Sequence, residues 1–147
     1  EAGLPAVADP GALLVALCHS HGIKVVPLVG PSSLMLALMA SGLNGQSFAF
    51  CGYLPAKSDE RKKAIREIEK RSAQLNQTEI FIETPYRNDQ MLADLVATLQ
   101  PQTMLCAAAD LTTDSQTIVS LSVREWKRKA DFRIGKRPCV FLILANS

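Results

Sequence analysis

The sequence predicts an α/β layer fold with a mixed parallel and antiparallel sheet flanked by helices. Three observations predict it. Short β-rich runs alternate with helical periodicity along the chain, which is the pattern of layered α/β domains. Two runs, at 103–109 and 117–123, are separated by only seven residues. That gap is too short for a parallel crossover, so part of the sheet is antiparallel. Finally, 147 residues with 48% hydrophobic and 20% charged content suit one packed domain.

Residues 12–21 read as a helix, with Leu13, Leu14, Leu17 and Cys18 at helical spacing. Asp9-Pro10-Gly11 is a suitable entry and Gly22 a suitable end. Residues 23–28, with Val25 and Val26, read as a strand between glycines. Gly30-Pro31-Ser32-Ser33 then forms a tight turn into a buried helix beginning at Leu34, with Ser32 or Ser33 as its cap. Residues 48–53 read as a strand. Residues 59–72 form a charged helix whose narrow apolar stripe is Ala64, Ile65 and Ile68.

The second half alternates more plainly. Residues 79–83 are a predicted strand, 84–87 a turn, and Asn88 caps a helix with Met91, Leu92, Leu95, Val96 and Leu99 on one face. Residues 103–109 and 117–123 follow as strands, 124–129 as one or two helical turns, and 139–144 as a buried strand.

Several function classes are unsupported. There is no Walker loop, GxGxxG fingerprint or GxSxG elbow. No spaced Cys/His/acid cluster predicts a metal, and no apolar run is long enough for a membrane span. Cys18, Cys51, Cys106 and Cys139 form no CxxC pair and read as reduced thiols. Together with the lack of a signal peptide, that predicts a cytoplasmic location. His19 and His21, two apart on one helix, face different ways. A net charge of +2 does not by itself indicate nucleic acid. Two segments are locally basic, however. Residues 57–71 carry seven Lys/Arg against four acids, and residues 124–137 carry seven against two. Charge runs are usually solvated faces, but they contact phosphates when they share one surface.

Gly30-Pro31-Ser32-Ser33 is the most informative local string. A glycine turn feeding a helix N-terminus presents N–H groups and hydroxyls suited to a carboxylate, phosphate or ribose. The plain alternative is an N-cap.

Taken together, the strings resemble those of the tetrapyrrole methylase family. Glu1-Ala2-Gly3-Leu4-Pro5 with Asp9-Pro10-Gly11 resembles its "DAGxPxxxDPG" segment, and residues 26–33 its "VPxPGPSA" turn. Ala40-Ser41-Gly42-Leu43 resembles "ASGLP", and Gly52-Tyr53-Leu54-Pro55-Ala56-Lys57 with Arg61 resembles "GFLPxKxxxR". Ile82-Glu83-Thr84-Pro85-Tyr86-Arg87 resembles "YESPHR", and Ala109-Asp110-Leu111-Thr112 "RELT". The nearest branch is that of the small-subunit ribosomal RNA ribose methyltransferases. Order and spacing across residues 1–112 make the set more specific than any single string.

The resemblance implies a two-domain homodimer that binds S-adenosyl-L-methionine between its domains and transfers the methyl group directly to an acceptor. It implies cofactor contacts at Glu1, Ala2, Gly3, Ser32, Ser33, Glu83, Leu111, Pro138 and Cys139, and substrate contacts at Lys57, Arg61 and Arg87. No catalytic base is implied and no metal. Residues 1–22 are expected to be a remnant of the N-terminal domain, and 23–147 the C-terminal domain with half of the cleft. The chain then reads as a fragment, inactive by itself. Three departures lie on the expected acceptor side. Glu1 replaces Asp, Tyr86 replaces His, and Ala109-Asp110 replaces Arg-Glu. They leave open an RNA acceptor, a tetrapyrrole acceptor, or a non-catalytic dimerisation or binding module.

Overall fold

The computed structural model describes residues 3–145. The elements in chain order are α1 (Ala12–Ser20), α2 (Ser33–Ser41), β1 (Phe48–Tyr53), α3 (Ser58–Leu75), β2 (Thr78–Ile82), a 3-10 turn (Pro85–Arg87), α4 (Asn88–Thr98), β3 (Met104–Ala109), β4 (Thr117–Ser122), α5 (Val123–Trp126) and β5 (Cys139–Leu144). One five-stranded sheet has the order β1-β2-β5-β3-β4. β1 and β2 are parallel, and the β2–β5, β5–β3 and β3–β4 pairs are antiparallel. The hairpin expected at 103–109 and 117–123 is the β3–β4 pair, with Ala109 opposite Thr117.

Alternation along the strands sends side chains to two different layers. Phe81, Leu105, Ala107, Phe141 and Ile143 face one side, where they join Ile65 and Ile68 of α3, Met91 and Leu95 of α4, and Val123 and Trp126 of α5. Phe81 and Phe141 stack with ring centroids 5.8 Å apart. Ile80, Cys106, Ala108, Val140 and Leu142 face the other side and pack against Leu34, Ala37 and Leu38 of α2. The narrow apolar stripe of α3 suits its place: the helix touches the core along one line and is charged elsewhere.

The first thirty residues depart from expectation. The helix at 12–20 forms, yet none of its residues is buried, and Leu13 is 77% exposed. Asp9 does not cap it; Gly11 occupies that position without a side-chain bond. Residues 23–28 are not a strand but an irregular segment, with Leu28 83% exposed. A strand needs a neighbour for its N–H and C=O groups, and no described strand pairs with this segment, so the propensity of Val25 and Val26 has no ladder to act on. Further on, the N-cap of α4 falls on Arg87 rather than Asn88. The buried Asn88 side chain instead ties α4 to the loop before β5, donating to the carbonyls of Gly135 (3.2 Å) and Arg137 (2.7 Å). Ser122 and Glu125 form a complete capping box that starts α5 one residue before the expected position.

Candidate functional site

Because β1, β2 and β3 run the same way, their C-terminal ends share one edge of the sheet. β5 and β4 begin at that edge: Ile82 lies opposite Val140, and Ala109 opposite Cys139. Ligands of open α/β sheets collect at such ends. Beside this edge, a cavity of about 210 Å³ is lined by Gly3, Leu4, Asp9, Ser32, Ser33 and Ile82, among others. Pieces far apart in sequence therefore meet here: the opening loop, the N-terminus of α2 and the end of β2.

The N-terminus of α2 is open. Ser32 takes the N-cap position with extended backbone, but no side chain bonds the first-turn N–H groups. Those donors and the two serine hydroxyls remain available beside the cavity. The approach to the helix is tight, since a Cβ at Gly30 would come within 3.0 Å of Leu4 Cδ2. The walls mix these polar groups with Leu4, Val7, Leu34 and Ile82.

The opening loop and the turn after β3 hold backbone in an unusual state. Ala6, Ala8, Asp110 and Thr112 all have positive φ, which costs non-glycine residues energy and gathers at ligand sites. The Asp110 turn is held firmly. Its N–H donates to Pro138 O (3.0 Å), its carboxylate accepts from Ser115 Oγ (2.9 Å), and Arg137 Nη1 lies 3.6 Å from the same oxygen. No residue type in Asp110-Leu111-Thr112 announces this strain, so it was invisible in the sequence.

The expected cofactor residues divide into three groups. Glu1 and Ala2 lie outside the described residues. Gly3, Ser32 and Ser33 line one cavity. Glu83, Leu111, Pro138 and Cys139 lie along the same sheet edge but differ in what they present. Leu111 packs with the α2 layer. Pro138 offers an exposed ring and the carbonyl that holds Asp110. The Cys139 thiol belongs to the opposite core, and burial pushes it up to about 12. The Glu83 carboxylate is likewise buried and already occupied. Its Oε1 accepts from Thr84 N (2.7 Å) and Arg87 Nε (3.1 Å). Its Oε2 makes no hydrogen bond among the described residues and has Arg61 Nη1 3.9 Å away.

The expected substrate residues are not equivalent either. Lys57 is exposed beside Glu60. Arg87 spans from buried Glu83 to exposed Tyr86, with its guanidinium carbon 4.9 Å from the ring centroid. Arg61 is only 2% exposed, and its donors are committed inside the protein. Nε and Nη2 lie 2.8 and 2.7 Å from Asp94 Oδ2, and Nη1 donates to Ala56 O at 3.1 Å. Ser58 and Gln90 complete the shell around Asp94. Arg61 thus ties α3 to α4 and to the segment after β2, and its Nε, Nη1 and Nη2 donors face into the protein and not the surface. A charge on an otherwise polar helix gives no hint in sequence that it points inward.

Among the described residues no group of His, Cys, Asp and Glu could hold a metal, and no helix is long and apolar enough to cross a membrane.

No protein-family model matches the chain. Curated relatives do. The chain is 42% identical over 125 residues to ribosomal RNA small subunit methyltransferase I of Vibrio cholerae, covering 85% of this chain and 42% of that protein. It is 39% identical over 125 residues to the protein of the same name from Neisseria meningitidis serogroup B, covering 85% and 41%. The chain therefore spans about two-fifths of the length of these relatives and is homologous to them over that part. Among solved structures, the methyltransferase CobJ superposes with a TM-score of 0.62 at 18% identity, over 97% of this chain and 62% of that one. Uroporphyrin-III C-methyl transferase from Thermus thermophilus, solved with S-adenyl homocysteine, gives 0.52 at 16% identity, over 97% and 62%. At these identities the likeness is one of fold: the chain has the fold of the tetrapyrrole-methylase type of methyltransferase.

Proposed function

We propose that this chain supplies one half of the S-adenosyl-L-methionine cleft of a methyltransferase acting on small-subunit ribosomal RNA. The observation that carries the reading is the homology over 125 residues to proteins named for that activity. The geometry supports it, because Gly3, Ser32 and Ser33 meet beside the sheet edge that bears Glu83, Leu111 and Pro138.

The residues present fit such a cofactor in kind. The α2 N–H groups and the serine hydroxyls suit a carboxylate or a ribose, and Leu4, Leu34 and Ile82 suit an apolar body. They fit it in part only: 210 Å³ falls below the ~300 Å³ at which small-molecule pockets begin, as expected of one wall of a cleft. A second domain, and a second copy in a homodimer, belong to the same reading.

When bound, S-adenosyl-L-methionine supplies an electrophilic methyl group on a sulfonium. The work of this chain is to bind and to orient, which is the main protein contribution to a direct displacement. Ser32 and Ser33 would fix one end of the cofactor. The strained turns at Ala6–Ala8 and Asp110–Thr112 would hold the cleft walls in a set shape. Arg61 would act on the site only through Glu83, as a positioning residue.

A chimera tests the reading. This chain replaces the 125 matched residues of the Vibrio cholerae relative. The expected results are binding of S-adenosylhomocysteine by calorimetry and transfer of tritium from labelled cofactor to small-subunit rRNA. A folded chimera that binds no S-adenosylhomocysteine overturns the cofactor reading. One that binds it and labels no rRNA overturns the acceptor reading.

A further inference from the structure

A larger cavity, of about 570 Å³, lies away from the cofactor edge and shares no lining residue with it. It runs along α4 on the α3–α4–α5 side of the sheet. Its floor is apolar and includes Leu92, Val96, Trp126 and Phe132. Trp126 and Phe132 meet edge to face with centroids 5.3 Å apart, and Trp126 Nε1 is spent on Leu105 O at 2.8 Å. The floor is therefore rigid: Trp126, only 3% exposed, backs it from below, and part-exposed Phe132 and Val96 present its apolar surface.

The rim has one sign of charge. Lys127, Lys129 and Arg133 line it. Among the described residues none of the three makes an ion pair. The lining carboxylate, Asp89, is engaged inward, accepting from the N–H groups of Ile134 (2.7 Å) and Gly135 (3.2 Å). An apolar slot under unpaired cations selects an occupant with a flat or apolar body and negative charge beside it.

The second basic segment lies on the same side of the sheet. Ile65 and Ile68 of α3 enter the same core as Leu92 and Trp126, so the two charge runs flank α4 rather than oppose each other. Lys63, Arg66 and Lys70 on α3 are exposed and likewise form no ion pair among the described residues. A modest net charge of +2 thus conceals a local cationic surface, densest at Lys127, Lys129 and Arg133, since α3 also exposes Asp59, Glu60 and Glu67.

We infer that this surface grips single-stranded RNA, with an unstacked base seated in the α4–α5 groove and its flanking phosphates on Lys127, Lys129 and Arg133. Single-stranded RNA meets both demands of the slot, since its bases seat on apolar and aromatic surface while its backbone supplies regular negative charge. The inference deepens the ribosomal RNA reading by naming where the acceptor is held, and it rests on that reading for the choice of RNA. It does not depend on the cofactor cleft, so it can fail or stand separately.

The chain itself is the test material. A fluorescein-labelled single-stranded RNA is titrated into it by anisotropy. Trp126 is the single tryptophan, so its emission reports occupation of the groove directly. Binding should change that emission. Reversing the rim (Lys127→Glu with Lys129→Glu and Arg133→Glu) should weaken binding at least about tenfold and lower the salt slope by about 2, from the loss of three phosphate contacts. Ala93→Phe fills the groove without changing charge and should weaken binding about as much as the loss of one base stack, some fivefold to a hundredfold. Circular dichroism checks that each variant folds. RNA that binds with unchanged Trp126 emission and equal affinity for Ala93→Phe would overturn the inference, as would absence of RNA binding. Preference for an acidic peptide over RNA at the same site would overturn it too. Binding of S-adenosylhomocysteine by the chimera, with and without the rim reversal, separates this outcome from failure of the methyltransferase reading: the reversal should leave it unchanged.

Discussion

The two faces of the sheet are finished to different degrees. On the α3–α4–α5 side, three helices seal the core, and its buried carboxylates are matched inside, Asp94 by Arg61 and Glu79 by Arg71, while Lys127, Lys129 and Arg133 on its outer surface stay unpaired among the described residues. On the other side only α2 covers the sheet. There α1 buries nothing, and Leu13, Leu14, Leu17, Leu28 and Met39 stay exposed. The difference teaches where most of the core resides: the sealed side holds the larger buried cluster, while the thinly covered side carries the open N-terminus of α2.

The contrast can be broken first at the aromatic pair. Phe141→Ala removes a fully buried ring stacked on Phe81 and should cost about 3–5 kcal/mol, read from urea denaturation. Arg61→Ala takes the two-point cation from buried Asp94, leaving it Lys62 at 3.8 Å, and leaves Glu83 with Arg87 alone. A loss of about 3 kcal/mol is expected; a loss under 1 would show that water enters and the clamp is not sealed.

Acid sharpens the comparison. Burial pushes the Glu79 carboxyl up, but hydrogen bonds from Arg71, Cys51 and Gln77 outweigh it and leave it below its ordinary value of 4.5. A carboxyl held low in the folded state stabilises fully above that ordinary value and loses its contribution as pH falls through the folded one. The stability gap between the wild type and Glu79→Gln should therefore shrink steadily below about pH 4.5. A gap that is constant down to pH 2 would show that this cluster does not couple to folding.

Thiol chemistry separates the peripheral α1 from both cores without mutation, since Cys106 lies in the α2-side core and Cys139 in the other. Burial drives Cys106 up to about 11 and Cys139 to about 12, and both thiols are sequestered. Cys18 sits part-exposed on α1. Iodoacetamide at neutral pH should label Cys18 first and leave Cys106 and Cys139 intact in the native state, as read by peptide mass spectrometry. The smallest effect is expected from Leu14→Ala, within about 0.5 kcal/mol, because that side chain already faces water.

What was legible in the sequence follows a different divide, between local and tertiary signals. The strands at 48–53 and 139–144 were readable to the residue, because apolar runs between breakers leave little choice of register. Residues 23–28 misled because β-propensity acts only where a neighbouring strand exists. The start of α2 at Ser32-Ser33 was readable because a turn-to-helix string carries a local signal. The inward course of Arg61 was hidden because burial of a charge is a tertiary property, set by Asp94 on α4 33 residues away. The α4–α5 groove was equally hidden: its rim was visible as a charge run, but its floor comes from packing Phe132 on Trp126.

The position of β5 bears on how the chain is made. This strand, the last among the described residues, lies between β2 and β3, so it joins the β1–β2 pair to the β3–β4 hairpin. During synthesis the two pairs stand apart, with the inner edges of β2 and β3 open, until residues 139–144 clear the ribosome. Synthesis runs at about 5–20 residues per second, so the exposed interval lasts seconds, and closure is a late, single event of high sequence separation. A stop codon anywhere before Cys139 would thus leave two half-sheets rather than a shortened domain.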